Sequence, residues 1–271
     1  MASVMASAKK IIFCIPGKSF STNFLSSWSE TLLELTKRGH QCFMANRNGS
    51  PWFVRNICLG GNSIRGKQQQ PYDGKVDYDF IVWLNNDIVF TVEQVNQLLD
   101  RMRDEEKMVV GGAVPEGENE FDLIDKGNWN FQYFMEHGRF KPFTRSDLVM
   151  KRDELFEVDH VSMNFVCMRK GVLESIEYPW FKPLFFDFEV DVTDGSGNTA
   201  KRSIRDYCSD DIAMSRSLVE KGYTLWVDPM ITVGREQTTM WSFPHRQFVE
   251  DQKKQGTYEQ TLETLAKQNA E

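Results

Sequence analysis

Positive charge is the scarcer sign in this sequence. Its 32 lysines and arginines stand against 39 aspartates and glutamates, a formal net charge of −7 with a pI near 5.3. Such a balance excludes a large non-specific nucleic-acid surface and leaves room only for a local basic groove. Cysteine is also sparse. Cys14, Cys42, Cys58, Cys167 and Cys208 are odd in number and include no CxxC pair, and Cys14, Cys42 and Cys167 stand in apolar, strand-like runs. They read as reduced packing residues of a cytosolic protein, which excludes a disulfide frame and a thiolate zinc site. The four histidines, His40, His137, His160 and His245, fall at no metal-ligand spacing. No apolar run approaches the roughly 20 residues of a bilayer span. The opening MASVMASAKKIIFCIPG places its lysines after the small residues and has too short an apolar run for a signal peptide, so a cytoplasmic location is expected. There is no internal repeat and no low-complexity block. What is present is 271 residues, 41% hydrophobic and 26% charged, a soluble globular composition long enough for one large α/β domain or two small ones.

Strands and helices alternate along the first half. KKIIFCIPG reads as a buried strand ending at Pro16-Gly17, where glycine lets backbone approach a ligand. In STNFLSSWSETLLELTKRGH, Phe24, Trp28, Leu32, Leu33 and Leu35 recur at near-helical spacing before Gly39. QCFMAN is a second strand. GSPWFVRNICLGG is a short helix with Ser50 as N-cap and Pro51 at its first position, and SIRGKQQQPYDGK is a polar, mobile loop. DFIVWLN is a third strand, FTVEQVNQLLDRMRDEEK a helix opened by a Thr91/Gln94 capping box, and MVVGGAV a fourth strand. The alternation predicts a mostly parallel α/β sheet with helices on both faces. The aromatic, poorly periodic stretch from 111 to 156 predicts loops with a small antiparallel excursion. VDHVSMNFVCMRKGVLESI predicts a strand, a turn at Lys170-Gly171 and a short helix. SDDIAMSRSLVEKG predicts a capped helix, and YTLWVDP a strand stopped by Pro229. The polar last thirty residues have weak helical spacing.

Chemistry concentrates where the strongest strand ends. In DFIVWLNNDIVF an apolar run gives way to Asn85, Asn86 and Asp87 and then resumes. Buried and unpaired, each of these groups would cost roughly 1–3 kcal/mol. At the carboxyl end of a strand in an open α/β sheet they would face a ligand crevice. A carboxylate there can hold a divalent cation and the cation a diphosphate; equally, Asn and Asp suit an ordinary turn. In SDDIAMSRS, Ser209 is a good N-cap and Asp210 and Asp211 complement the helix dipole. At a cleft edge either acid could instead serve as a general base.

Four segments, in this order, resemble the nucleotide-sugar-dependent glycosyltransferases of the GT-A (Rossmann-like) fold, of the family 2-like kind. IPG resembles the start of the nucleotide pocket. RNGSPWFVRN resembles the second-strand exit followed by a helix carrying Arg55-Asn56. YDFIVWLNNDIVF resembles the strand ending in the metal-binding Asp-x-Asp motif. VDHVSMNFVCMRKGVLESI with YPWF, then SDDIAMSRSLVEKGYTLWVDPMITVG, resemble the acceptor-side strand and the acidic pair before the last core helix. The resemblance covers roughly residues 9 to 236. It implies a single catalytic domain over 1–239, with a nucleotide-sugar half over about 9–114, an acceptor half over about 115–239, and a polar, helical tail over 240–271. The sequence departs from the family pattern at Asn85, where an Asp is expected, and at Arg235, where many relatives place a metal-binding histidine; His245 lies ten residues further on.

The resemblance implies transfer of a sugar from a nucleotide diphosphate sugar, UDP-linked in the first instance, to a hydroxyl acceptor. Mn²⁺ or Mg²⁺ held by Asp87 would offset charge on the departing phosphate. Pro16, Gly17, Arg47, Arg55, Asn56, Asn85, Asn86, Asn164 and Arg235 would line the nucleotide-sugar side. Arg235 would either fork onto the diphosphate or make a surface salt bridge to Glu236 or a neighbour. If transfer inverts the sugar, Asp211 or its neighbour Asp210 deprotonates the acceptor; if it retains, these acids orient the donor. Trp180 and Trp241 either stack on a sugar or fill the core, the commoner fate of tryptophan. A glycan is the expected acceptor. A modified DNA base is the variant, in keeping with a viral or phage enzyme acting in a host cytoplasm, with Arg65, Lys67 and Lys75 as its basic loop. Asn85 and Arg235 motivate an alternative, a degenerate sugar-nucleotide-binding protein. A nucleotidyltransferase fits less well, since IPGKSFS lacks a glycine-rich, lysine-bearing loop.

Overall fold

Phe80–Leu84 is buried at every position, as a strand covered on both faces must be. Its side chains alternate between two separate cores: Ile81 and Trp83 enter one, Phe80, Val82 and Leu84 the other. The strand Lys10–Pro16 divides in the same way, with Ile12 and Cys14 on one side and Ile11, Phe13 and Ile15 on the other. The structure is a computed structural model, and the residues it describes are 8–115, 131–134, 140–143, 154–193, 195 and 197–236. Most of the aromatic stretch 116–153, with His137, and Trp241, His245 and the tail 240–271 lie outside them.

Along the described chain the elements are β1 Lys10–Pro16, α1 Thr22–Lys37, β2 Gln41–Arg47, α2 Pro51–Cys58, β3 Phe80–Leu84, β4 Ile88–Val89, α3 Val92–Arg101, β5 Val109–Ala113, β6 Phe131–Phe134 and β7 Phe140–Pro142. There follow β8 Phe156–Val158, β9 His160–Val161, β10 Phe165–Arg169, β11 Phe185–Thr193, β12 Thr199–Tyr207, α4 Asp210–Glu220, β13 Leu225–Thr232 and β14 Gly234–Arg235. Among the described residues the central sheet has seven strands in the order β2-β1-β3-β10-β5-β13-β8. β1 is parallel to β2 and β3, and β13 is parallel to β5, whereas β10 is antiparallel to both β3 and β5 and β8 is antiparallel to β13. Five strands therefore share one direction and β10 and β8 oppose it. Helices α1 and α3 cover one face through Phe24, Leu35, Val95 and Leu98. Helices α2 and α4 cover the other through Val54, Cys58, Met214 and Leu218. This is the mostly parallel α/β sheet with two helical layers that the alternation predicts. A small antiparallel sheet of β7, β6 and β9 accompanies it.

Local signals explain the element ends. Ser21 accepts a hydrogen bond from Phe24 N at the start of α1, Thr91 and Gln94 form the capping box of α3, and Ser209 accepts from Ile212 N at the start of α4. Ser50 occupies the N-cap position of α2 without a side-chain cap bond. The cysteines are free, four of them buried and Cys42 half-buried. Burial pushes the thiols of Cys42 and Cys58 each up to about 11, which suits unreactive packing residues.

Several expectations are corrected. β13 does not stop at Pro229; it continues to Thr232 with a register shift between Asp228 and Thr232, and at such an irregularity proline removes no ladder bond. The segment 156–169 is three strands, because a turn in which Asn164 N donates to Ser162 O (2.8 Å) separates β9 from β10. Leu33 is exposed, whereas the buried α1 positions are Phe24, Thr31 and Leu35. Within the loop 62–75 the Gln69 amide bonds Asn62 on both sides and also Gly66 O, contacts the sequence reading did not include. The hairpin β11–β12, nine residue pairs long, has no counterpart in the sequence reading.

Candidate functional site

The carboxyl ends of β1, β2, β3 and β13, the amino end of β10 and the first turn of α4 share one edge of the sheet. That edge is where an open α/β sheet presents a crevice. At its centre, Asn85-Asn86-Asp87 turn tightly between β3 and β4, with Ile88 N donating to Asn85 O. The three side chains take separate partners. Asn85 Oδ1 accepts from Arg55 Nη2 at 3.4 Å. Asn86 Nδ2 donates to Ser19 O at 2.6 Å. Asp87 Oδ2 accepts from Arg235 Nε at 2.8 Å.

The approach of Asn86 to the β1 exit explains Gly17. A Cβ there would stand 2.5 Å from Asn86 Cγ and 2.7 Å from its Cβ. Next to it Asn46 Nδ2 donates to Ile15 O and Gly17 O, so the β1 exit is pinned from both neighbouring strands. Asn46 is missing from the sequence reading; its signal was an amide placed directly after the apolar run CFMA.

Arg55 joins the segments. It projects from α2, is 6% exposed, and places Nη1 2.5 Å from Asp210 Oδ2 and 3.2 Å from Asp211 Oδ1. Its Nη2 also donates to Met163 O at 3.4 Å. Burial alone would lower its pKa, and the carboxylates of Asp211 and Asp210 more than reverse that. The guanidinium therefore stays charged between two acids at the positive end of α4. Asp210 is the more deeply held, its side chain 8% exposed against 17% for Asp211.

The remaining residues divide. Arg47 ends β2 exposed, with Nη1 on its neighbour's carbonyl, Asn46 O. Asn164 is buried at the head of β10, and its carbonyl accepts from Asn85 N at 3.0 Å. Asn56 is buried with its amide engaged on both sides by the backbone of Phe181, Nδ2 on Phe181 O (2.6 Å) and Oδ1 from Phe181 N (3.1 Å); it ties α2 to the 180 segment. Trp180 is a core residue, 1% exposed. Arg235 pairs with Asp87, not Glu236, whose carboxylate takes Asn23 Nδ2 instead. The basic loop residues are paired: Arg65 and Lys75 with Asp73, and Lys67 with Glu177.

The fit to a divalent cation turns on Asp87. Its Oδ1 is buried without a hydrogen-bond partner, which is one position for a ligand. Its other oxygen carries a guanidinium, and unlike-charge partners at such separations near a surface interact by about 4 kcal/mol per pair of unit charges. A cation sharing the carboxylate would meet repulsion of that order from Arg235. Asn85 Oδ1 already faces the Arg55 guanidinium, Asn86 is held to Ser19 O through its Nδ2, and among the described residues no three His, Cys, Asp or Glu side chains cluster to hold a metal. Among the described residues, one carboxylate already paired with a guanidinium is a donor set that does not fit Mn²⁺ or Mg²⁺.

No family model matches the chain, and no curated protein does. Among solved structures, A197 from STIV is similar at 15% identity and a TM-score of 0.46, over 87% of this chain and 98% of that one. GalNAc-T7, solved with UDP, GalNAc and Mn²⁺, is similar at 10% identity and a TM-score of 0.42, over 84% of this chain and 44% of that one. No helix among the described residues is long and apolar enough to cross a membrane.

Proposed function

We propose that this chain is a glycosyltransferase that moves a sugar from a nucleoside-diphosphate sugar to a hydroxyl acceptor, a glycan in the first instance. One observation carries the reading. Residues from four distant segments, Asn85 to Asp87, Arg55, Asp210-Asp211 and Arg235, meet at the sheet edge where α/β folds bind ligands. The donor belongs to the half before about residue 114, with Pro16, Gly17 and Arg47 beside the nucleotide. The acceptor belongs to the half after it, approached from Asn164 and α4. Asp211 is the general base: its carboxylate is the more exposed of the pair and the farther from Arg55, so an acceptor O–H can reach it and transfer its proton there. Asp210 and Arg55 are positioning residues that hold Asp211 at the head of α4.

The Arg55 contact also favours a second reading. A guanidinium against both acids weakens them as bases, which suits a protein that binds a sugar nucleotide without turning it over. Release of nucleoside diphosphate from UDP-, GDP- and dTDP-sugars, with and without simple sugar acceptors, separates the two. Transfer is expected to fall on the order of 10²–10⁴-fold in Asp211→Asn, the usual contribution of a general base, and less in Asp210→Asn. Binding without release, unchanged by Asp211→Asn, would support the second reading. Pyrophosphate release from a nucleoside triphosphate and a sugar phosphate would replace both with a nucleotidyltransferase.

A further inference from the structure

We infer that Arg235 is this chain's diphosphate-binding cation, and that it binds a nucleoside diphosphate without a divalent metal. The inference rests on the nucleotide-sugar reading above and deepens it. It starts from how firmly the structure places this side chain. β14 pairs with β4, setting Arg235 opposite Ile88. Glu236 N donates to Asp87 O at 2.7 Å, and Glu236 Oε1 accepts from Asn23 Nδ2 at 2.6 Å. The backbone on either side of Arg235 is thus anchored to β4 and the β3–β4 turn, and the neighbouring Glu236 side chain to α1. Asp87 Oδ2 then fixes the guanidinium through Nε.

A guanidinium has five N–H donors in a rigid fork. Nε uses one on Asp87, and among the described residues the terminal nitrogens make no other hydrogen bond. Four donors remain on a side chain that is 30% exposed, at the edge where the nucleotide would lie. A planar fork held from behind by a carboxylate is the arrangement that grips phosphate oxygens bidentately. Asp87 on this account is a positioning residue: it orients the cation and does not ligate one. The guanidinium that makes the site unsuitable for Mn²⁺ or Mg²⁺ itself presents one positive charge to the phosphate oxygens, where such an ion would bring two.

The test is titration of the full-length protein with UDP and GDP, in excess EDTA and separately in Mn²⁺ or Mg²⁺. The expected result is binding of one nucleotide with closely similar affinity in every arm. Arg235→Ala should weaken it by roughly tenfold or more, the loss of one strong charge-assisted contact, with Arg235→Lys between the two. Arg235→His, which removes the permanent charge from Asp87, should bind more tightly with Mn²⁺ than with EDTA. Binding by the wild-type protein only when metal is present overturns the inference and leaves the glycosyltransferase reading standing. Binding by Arg235→Ala equal to wild type also overturns it. Absence of binding in every arm overturns the nucleotide reading itself, and the inference with it. The wild-type comparison needs no variant to fold.

Discussion

Replacing Arg55 with alanine should be among the most damaging single changes in the chain. The side chain is 6% exposed and stands between two carboxylates, at 2.5 Å from Asp210 and 3.2 Å from Asp211. It also packs over the Phe181 ring, 5.7 Å from the centroid. Truncation removes the counter-ion and leaves two adjacent acids with little water. Breaking a buried pair from one side costs about 3–5 kcal/mol. For a domain of this size each kcal/mol moves Tm by about 2–4 °C, so Arg55→Ala should melt roughly 6–20 °C lower. Urea unfolding followed by tryptophan fluorescence reads this directly, since Trp83 is fully buried against Phe181. Combining Arg55→Met with Asp210→Asn should recover part of the loss, because the double change removes opposite charges together. Arg38→Ala is the control: Arg38 is exposed and its i,i+4 partner Glu34 partly so, and its removal should cost less than about 1 kcal/mol. If Arg55→Ala stays within about 1 kcal/mol of wild type, or the double variant is strictly additive, the idea that Arg55 neutralises a buried acidic pair is wrong.

Gly17→Ala should cost about 1–3 kcal/mol through overpacking against Asn86, and Asn86→Gly in the same chain should restore most of it; a Gly17→Ala protein as stable as wild type would show that the close approach constrains nothing. His160 is buried against Ser215 and Ser162, and desolvation pushes its pKa down from 6.5 to about 4. The unfolded state therefore binds the extra proton first, and stability falls as pH drops from about 6.5 towards 4, by up to about 3 kcal/mol from this group. The fall between pH 7 and 4.5 should be shallower in His160→Gln, and parallel curves for the two proteins would contradict the burial argument. Asp228→Ala should lose about 1–3 kcal/mol, because Asp228 accepts from both Arg101 Nε and Met230 N and shapes the β13 irregularity; Asp228→Asn, which keeps an acceptor for Met230, should lose less by the same chemical denaturation.

The sheet was legible wherever burial on two faces writes a continuous apolar run. β1, β3 and β5 announce themselves in KIIFCIP, FIVWL and VVGGA, and α3 through its capping box. The hairpin β11–β12 was harder to see. FFDFEVDVT alternates apolar and acidic residues, a period-two signal that was there to be read. Its partner TAKRSIRDY is mostly polar, and its pairing is reinforced by cross-strand charges such as Asp187–Arg205, which appear only once the register is known. Pro229 misled because a proline reads as a strand end, whereas at a shifted register no N–H is missed. Within the site, the residue types were legible and their partners were not. Arg55 and Asp210 lie 155 positions apart, and Asp87 and Arg235 lie 148 apart. Spacing along a chain has no means of reporting contacts of that range.

Those partners change what the acidic motifs mean. In sequence Asp87 looks like a cation ligand, and Asp210 and Asp211 like uncommitted acids at a helix start. In the structure Arg55 and Arg235 stand against them, so three negative charges meet two positive ones and the cluster carries a net −1. An anionic diphosphate can approach such a cluster only from the side where a guanidinium faces outwards. Arg55 is enclosed, with both terminal nitrogens engaged, so its charge serves the acids. Arg235 is partly exposed, and among the described residues its terminal nitrogens make no hydrogen bond; Arg47 is exposed beyond Asn46. On the proposed reading the electrostatics divide the edge: a cationic approach along the β2 and β14 sides would take phosphate, and the acidic head of α4 a hydroxyl proton. A reaction that parts a phosphate from a sugar while taking a proton from an acceptor needs that separation of charge.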